Sequence, residues 1–287
     1  MTELICPDFS SRFKDEGLSE DLLKEFRAFV FSFYEEHGRH DMEWRHTTDP
    51  YRIIVSEIML QQTQVSRVAQ IFPEFIRKFP DAAALADAEE SDVLSAWQGM
   101  GYNRRALNLQ KLCRIVCREK NGVFPRTPEE LVQLPGIGPA TSCSIAAFTY
   151  NIPVVFIETN IRRVVIHLFF RDLEEIDDSQ IYPIVEAALP RDRSREWYWA
   201  LMDLGAEMKK SIANPNRKSR QYVKQSKFEG SNRQVRGDVL KKLLLMKTAT
   251  ADELAKETGY PVEKVSAVLS EMHKEGFFKE TDERFSV

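Results

Sequence analysis

The stretch Leu134-Pro135-Gly136-Ile137-Gly138-Pro139 narrows what this chain can fold into more than any other. It lies between two helical patterns. Upstream, Thr127-Pro128-Glu129-Glu130 sets an N-cap threonine three residues before a glutamate, as in a capping box. Downstream, Pro139 occupies the first turn of a run reaching Tyr150. Gly136 and Gly138 permit a tight turn and close backbone approach. The helix that follows offers unpaired N–H groups to a phosphate. A hairpin of this kind between helices grips DNA through its backbone without reading sequence. The plainer alternative is a glycine-rich connection with no ligand.

The rest of the chain up to about residue 228 reads as helix, with thin evidence for strands. Apolar residues recur at helical spacing over 21–37, and 51–79 is nearly continuous helix with a break near Gln61–Thr63. Asp49-Pro50 can cap its start. Further helices are expected over 88–97, 103–120, 139–150, 160–170, 179–189 and 193–210. Residues 1–20 read as an N-terminal arm and 211–230 as a basic linker. From Ser231 the character changes to two short helices, a longer one over 261–274, and an alternating segment, GFFKETDERFSV, that suggests a small hairpin. That order resembles a winged-helix unit with 261–274 in the recognition position, a class that binds DNA or proteins.

With 43% apolar residues, 18 of them Phe, a substantial core is within reach. The net charge of -4 argues mildly against nucleic acid, but distribution matters more than the sum. From Glu207 to Lys242 there are eleven Lys or Arg and three acidic residues, a local charge of +8. None of Cys6, Cys113, Cys117 and Cys143 shows the spacing of a zinc or redox pair. Cys113 and Cys117, four apart on one helix, read as small buried residues rather than half a metal site. A reducing, intracellular (cytoplasmic, nucleoid-associated) setting is expected. No long apolar run or secretory pattern is visible, so no membrane association is expected.

Two carboxylates stand out. Glu57 sits among apolar residues in VSEIMLQQTQV, where an unpaired carboxylate is expensive unless used. A satisfied buried polar network is the alternative. Glu158, in VVFIETNIRR, follows an apolar run and opens a helix; ordinary capping would explain it equally well.

Five ordered stretches carry a family resemblance: 49–65, 97–111, 134–150, 156–164 and 200–208. Across roughly 25–210 the chain resembles the helix-hairpin-helix (HhH-GPD) base-excision DNA glycosylases. It is most similar to the MutY-like adenine glycosylases that remove A opposite 8-oxoguanine, with endonuclease III more distant. The resemblance implies an all-α, two-lobed fold, with a six-helix lobe over about 56–150 and a second lobe from 21–55 and 151–210, and the winged-helix-like domain over 231–287. It implies that Glu57 is the general acid for the leaving base, that Glu158 stabilises the sugar cation and positions water, and that Asn160 supports the site. Gln61 is implied to enter the gap left by the flipped base, with Gln62 and Tyr102 contacting the stack and minor groove. The phosphate clamp falls on Gly136, Ile137, Gly138, Ala140 and Thr141, with a monovalent cation on the carbonyls of Leu134 and Gly136. Arg162, Lys209 and Lys210 are further expected DNA contacts.

The sequence departs from this family in four places. Glu158 stands where the family has Asp; a shift of about 1 Å in a catalytic group can cost of order 10²-fold. Ala140 stands where bifunctional enzymes carry Lys, so no Schiff base forms there and no efficient strand cleavage is expected. The family's four-cysteine iron–sulfur loop is replaced by a cysteine-free segment, so no cluster and no other cofactor is expected. The winged-helix-like unit stands where adenine glycosylases have a Nudix-like domain. The resulting expectation is a monomeric, monofunctional glycosylase acting on double-stranded DNA with a mismatch or lesion, removing adenine opposite 8-oxoguanine or guanine. The alternatives are a glycosylase for T or U opposite G, hypoxanthine, or an alkylated or oxidised base, and a non-catalytic DNA-binding protein.

Overall fold

The computed structural model describes residues 5–223 and 227–287. Residues 1–4 of the expected arm and 224–226 of the expected linker lie outside the described residues. The chain runs through α1 (Ser10–Glu16), α2 (Glu20–His37), α3 (Pro50–Leu60), α4 (Val65–Lys78), α5 (Ala82–Asp87), α6 (Glu90–Ala96), α7 (Arg104–Glu119), α8 (Pro128–Leu131), α9 (Pro139–Tyr150), α10 (Thr159–Phe169), α11 (Asp178–Ala188) and α12 (Ser194–Ser211). The C-terminal part adds α13 (Asn232–Met246), β1 (Thr248–Ala249), α14 (Ala251–Thr258), α15 (Val262–Lys274), β2 (Lys279–Thr281) and β3 (Arg284–Ser286), with 3-10 turns at Glu43–Arg45 and Pro215–Lys218. The fold is helical throughout its body, with the strands confined to the C-terminal part among the described residues. No described helix is long and apolar enough to cross a membrane.

Local chemistry explains the element boundaries that matter. The Asp49 carboxylate accepts from the Tyr51 N–H and starts α3 one residue before Pro50, a residue tolerated in a first turn. The α3–α4 break falls at 61–64, as expected from the polar Gln61-Gln62-Thr63-Gln64. Thr127 caps α8 through the Glu130 N–H, but the helix spans only Pro128–Leu131 before the glycine hairpin.

The molecule divides into two compact units, 1–57 with 125–133 and 137–224, and 58–124 with 134–136 and 225–287. By packing, α9 falls in the first unit and α13–α15 in the second. In the first unit, α2, α10, α11 and α12 pack around Phe26, Val30, Val164, Leu168, Ile184, Trp197 and Leu201. Phe26 meets Phe169 and Trp197 edge-on at 5.1 and 5.4 Å, a geometry suited to the ring quadrupoles.

In the described part of the N-terminal segment Phe9 is 3% exposed and packs on Phe26 and Phe169, its N–H donates to the Leu168 carbonyl, and Arg171 donates to the carbonyls of Cys6 and Pro7. The start of the basic linker also makes specific bonds. Asn216 donates to the Thr159 carbonyl at 2.9 Å. Backbone bonds from Ile176 to Lys218 and from Arg220 to Ile176 form a short parallel bridge. Polar bonds thus tie this cysteine-free segment to the start of α10 and to Ile176.

In the second unit, α4–α7 enclose Val68, Phe72, Phe75, Trp97, Leu109 and Leu112. The C-terminal helices bury Val235, Val239, Leu243, Leu254, Val265 and Leu269. Their sheet has the order β1-β3-β2, all antiparallel. β2 and β3 are the expected hairpin; β1, two residues long, exists because β3 pairs with it.

Candidate active site

Glu57 and Glu158 belong to the same unit. Glu57 projects from α3, whose other faces bury Ile53, Ile54 and Val55. Its Oε2 lies 2.6 Å from the Ser144 hydroxyl on α9. Burial pushes the Glu57 carboxyl up to about 7; a Ser144 hydroxyl donated to it would pull down, the charge of Glu158 pushes further up, and Arg45 pulls down. The charge of Glu158 is felt at Glu57, within the same unit.

Glu158 caps α10. Its Oε1 accepts from the N–H groups of Asn160 and Ile161 at 2.7 and 2.8 Å, and its Oε2 accepts from the Asn160 side-chain amide at 3.3 Å. Burial raises this carboxyl too, against the Ile161 and Asn160 N–H bonds and the charges of Arg163 and Arg162. The cap thus sets a carboxyl at a helix N-terminus, where negative charge is favoured. Asn160 is held in turn. The Arg163 guanidinium, on a residue 3% exposed, donates to the Asn160 Oδ1 at 2.7 Å and to the Gly205 carbonyl at 2.6 Å. A Cβ on Gly205 would lie 2.4 Å from the Asn160 carbonyl oxygen, so only glycine lets α12 come this close.

The hairpin residues differ in what they present. Gly136, Gly138 and Ala140 are exposed, Thr141 is partly so, and Ile137 is 5% exposed with its side chain in the core. Gly136 is left-handed at φ +83, and a Cβ there would press on Asn108 at 3.1 Å. The Gly136 carbonyl, one of the two offered to a cation, accepts from the Gln61 side-chain amide at 3.2 Å; a cation there would have to displace it. Arg162 is gripped at both nitrogens by Asp178, at 2.7 and 2.6 Å. Lys209 and Lys210 are exposed at the end of α12, with Lys210 paired to Glu207.

In the second unit, Gln62 and Tyr102 adopt left-handed backbones, φ 54 and 47. For a bulky tyrosine this is an uncommon state that persists only when its surroundings hold it. Arg105 does the holding. Its guanidinium donates to the carbonyls of Ile58, Met59 and Gln61, to the Thr63 hydroxyl, and to the carbonyls of Met100 and Gly101. It therefore ties the end of α3 and both loops to one point. Beside these loops is a cavity of about 420 Å³ lined by Gln61, Gln62, Tyr102, Arg104, Arg233, Arg236 and Glu275 among others. Arg233, on α13, donates to the Tyr102 hydroxyl, and Arg236 pairs with Glu275 at 2.9 and 2.6 Å.

Ser144, Arg163, Arg105 and the cavity arginines Arg233 and Arg236 were not singled out in the sequence. An isolated serine in an apolar helix carries no pattern, and Arg105 resembles any helix-starting cation until its acceptors are known. No group of three or more His, Cys, Asp or Glu side chains among the described residues could hold a metal, and no cysteine lies in 144–287 to ligate a cluster.

Residues 55–186 match the HhH-GPD superfamily base excision DNA repair protein family. The chain is 33% identical over 182 residues to an adenine DNA glycosylase of Buchnera aphidicola subsp. Baizongia pistaciae, covering 63% of this chain and 52% of that protein. It is 27% identical over 190 residues to a thymine/uracil-DNA glycosylase of Pyrobaculum aerophilum, covering 64% and 83%. It is also similar to the solved structure of a thermostable thymine-DNA glycosylase, with a TM-score of 0.56 and 25% identity over 64% of this chain and 86% of that one. The chain thus spans about half the length of the adenine glycosylase it matches.

Proposed function

We propose that this chain, which carries an HhH-GPD superfamily base-excision module over residues 55–186, is a monofunctional DNA glycosylase that removes a mispaired or damaged base and leaves the strand intact. The observation that carries this reading is the pair of partly buried carboxyls, Glu57 and Glu158, in one unit, with the charge of Glu158 felt at Glu57. A module that only bound DNA would have no need of two carboxyls placed so. Glu57 keeps a proton near neutral pH, as a general acid must. Glu158, with three N–H donors aimed at it, is the carboxylate.

In the proposed reaction the C1′–N bond breaks and its electron pair leaves with the base. The Glu57 proton caps a ring nitrogen of that base. Glu158 stabilises the positive charge that develops on the sugar, then takes the proton of the water that adds to C1′. Base and sugar must first leave the stack, since the bond is unreachable within a duplex. Gln61, Gln62 and Tyr102, held by Arg105, are the proposed contacts with the opened duplex, and the amides of 136–141 the proposed backbone clamp. Ala140 offers no amine, so no covalent sugar adduct forms there.

Adenine opposite 8-oxoguanine or guanine is the first substrate, because a purine leaves best when protonated and because of the similarity to an adenine DNA glycosylase. Thymine or uracil opposite guanine is the second, favoured by the likeness to thymine- and uracil-removing enzymes. Labelled duplexes carrying A:8-oxoG, A:G, T:G, U:G, hypoxanthine:T, 8-oxoG:C and alkylated bases, each assayed with and without hot alkali, test the reading. The expected result is cleavage only after alkali, lost in E57Q and E158Q. Cleavage without alkali would refute the role given to Ala140, and tight binding with no reactive duplex would favour a non-catalytic DNA-binding protein.

A further inference from the structure

The Ser144 hydroxyl has one proton and two oxygens within reach. One is the Thr141 carbonyl oxygen at 3.0 Å, the other is Glu57 Oε2 at 2.6 Å. A peptide carbonyl can only accept. If the hydroxyl donates to Thr141, its contact with Glu57 is a hydrogen bond only when Glu57 carries the proton and Ser144 accepts it. If the hydroxyl instead turns to an ionised Glu57, its 3.0 Å contact with Thr141 brings two oxygens together with no proton between them. Ser144 is 3% exposed, so water offers little repair.

The surroundings favour the first arrangement. The charged groups acting on Glu57 are Glu158, ahead of α10, which opposes ionisation, and Arg45, in the 3-10 turn, which favours it. Arg45 is already committed elsewhere, donating to both carboxylate oxygens of Asp203 at 2.7 and 2.8 Å. We propose that Ser144 is a positioning residue for base removal: tied by its own proton to the Thr141 carbonyl, its oxygen accepts the Glu57 acid proton and holds that acid neutral and oriented until a leaving base takes the proton. This rests on the glycosylase reading for its purpose, though not for its geometry. The transfer is balanced: the O–H bond of Glu57 breaks, an N–H bond forms on the base, and Glu57 is left as a carboxylate.

The sign of one measurement decides between the two hydroxyl orientations. An acceptor for the acid proton raises the pKa of Glu57, so its loss lowers it; a donor to the carboxylate does the reverse. The full chain, with ¹³C-labelled glutamate carboxyls and E57Q to assign the signal, would be titrated without DNA. In Ser144→Ala the Glu57 titration is expected to move down by about 0.5–1 pH unit, the worth of one hydrogen bond. Ser144→Cys, nearly isosteric and a poor acceptor, should move it the same way should the alanine variant fold poorly. Ser144→Thr should restore the wild-type midpoint. A midpoint that rises or stays put in both the alanine and cysteine variants overturns the proposal. The alkaline limb of the pH–rate profile, measured on whichever duplex the wild type cleaves, should shift with the titration. If the midpoint falls but no duplex reacts, the proton seat stands and the glycosylase reading falls. If a duplex reacts and the midpoint does not fall, the reverse holds.

Discussion

Glu57 faces two demands that pull apart. The folded chain holds its carboxyl at about 7, against 4.5 for an ordinary glutamate. Its folded value is the higher one, so its neutral form stabilises the fold fully below about 4.5, and that contribution is lost as pH rises through about 7. A neutral amide would escape the loss. E57Q is therefore expected to melt higher than wild type at pH 8, by about 1 kcal/mol of stability, with the two proteins converging near pH 4. The same substitution should slow base release by about 10²-fold or more. Melting curves at both pH values check the first half; equal stability at pH 8 would mean that Glu57 is not a desolvated acid. Part of this was legible in the sequence, since a glutamate in an apolar helical run is unusual whatever its neighbours. Ser144 was not, because its importance depends on α9 lying beside α3.

At the scale of elements, the body is organised by buried cations that collect backbone oxygens. Arg105 serves six acceptors on α3 and the two loops that carry Gln62 and Tyr102. Removing it strands carbonyls at a helix end and releases two strained residues. R105M should lose about 3 kcal/mol, read by denaturant unfolding, and should weaken binding to a lesion duplex more than tenfold under conditions where it remains folded. Unchanged binding would show that the loops hold themselves. Asp203 on α12 plays the complementary part, 3% exposed and bound by Arg39 and Arg45. Burial alone would raise its carboxyl, but the Arg45 and Arg39 bonds and charges outweigh burial and lower it. Its contribution is therefore complete above the ordinary value of 3.8 and lost as pH falls through the lower folded value. D203N, which leaves the Arg45 guanidinium and the half-exposed Arg39 without their counter-charge, should lose about 3 kcal/mol at neutral pH. α2 and α7 were legible because their apolar stripes run several turns, and α9 because Pro139 marks its first turn. α1 and α5, at seven and six residues, are too short for a stripe to declare itself, and β1 is made by its partner.

For the whole molecule, the proposed function assigns chemistry and grip to different residues that can be tested apart. Glu57, Glu158 and Asn160 lie in the unit that contains none of 225–287. The cavity beside Tyr102 lies in the other unit, and Arg233 and Arg236 of α13 line it. Within this unit the segment 227–242 carries Lys227, Arg233, Arg236, Lys241 and Lys242 against Glu229 and Asp238, a positive stretch that attracts phosphates. Arg233, whose guanidinium also lies 5.5 Å from the Tyr102 ring centre, brings that charge to a residue proposed to meet the opened duplex. R233A is expected to weaken duplex binding about tenfold at moderate salt and to lower the slope of log affinity against log salt by about 1, as loss of one phosphate contact does. Its single-turnover rate on saturating enzyme should stay within about threefold of wild type, since it touches no member of the Glu57–Glu158 centre. E158Q should show the opposite split, with affinity kept and the rate lost. Were R233A to bind normally but react slowly, the C-terminal helices would be acting on the chemical step, and the separation of grip from chemistry drawn from the two units would be wrong.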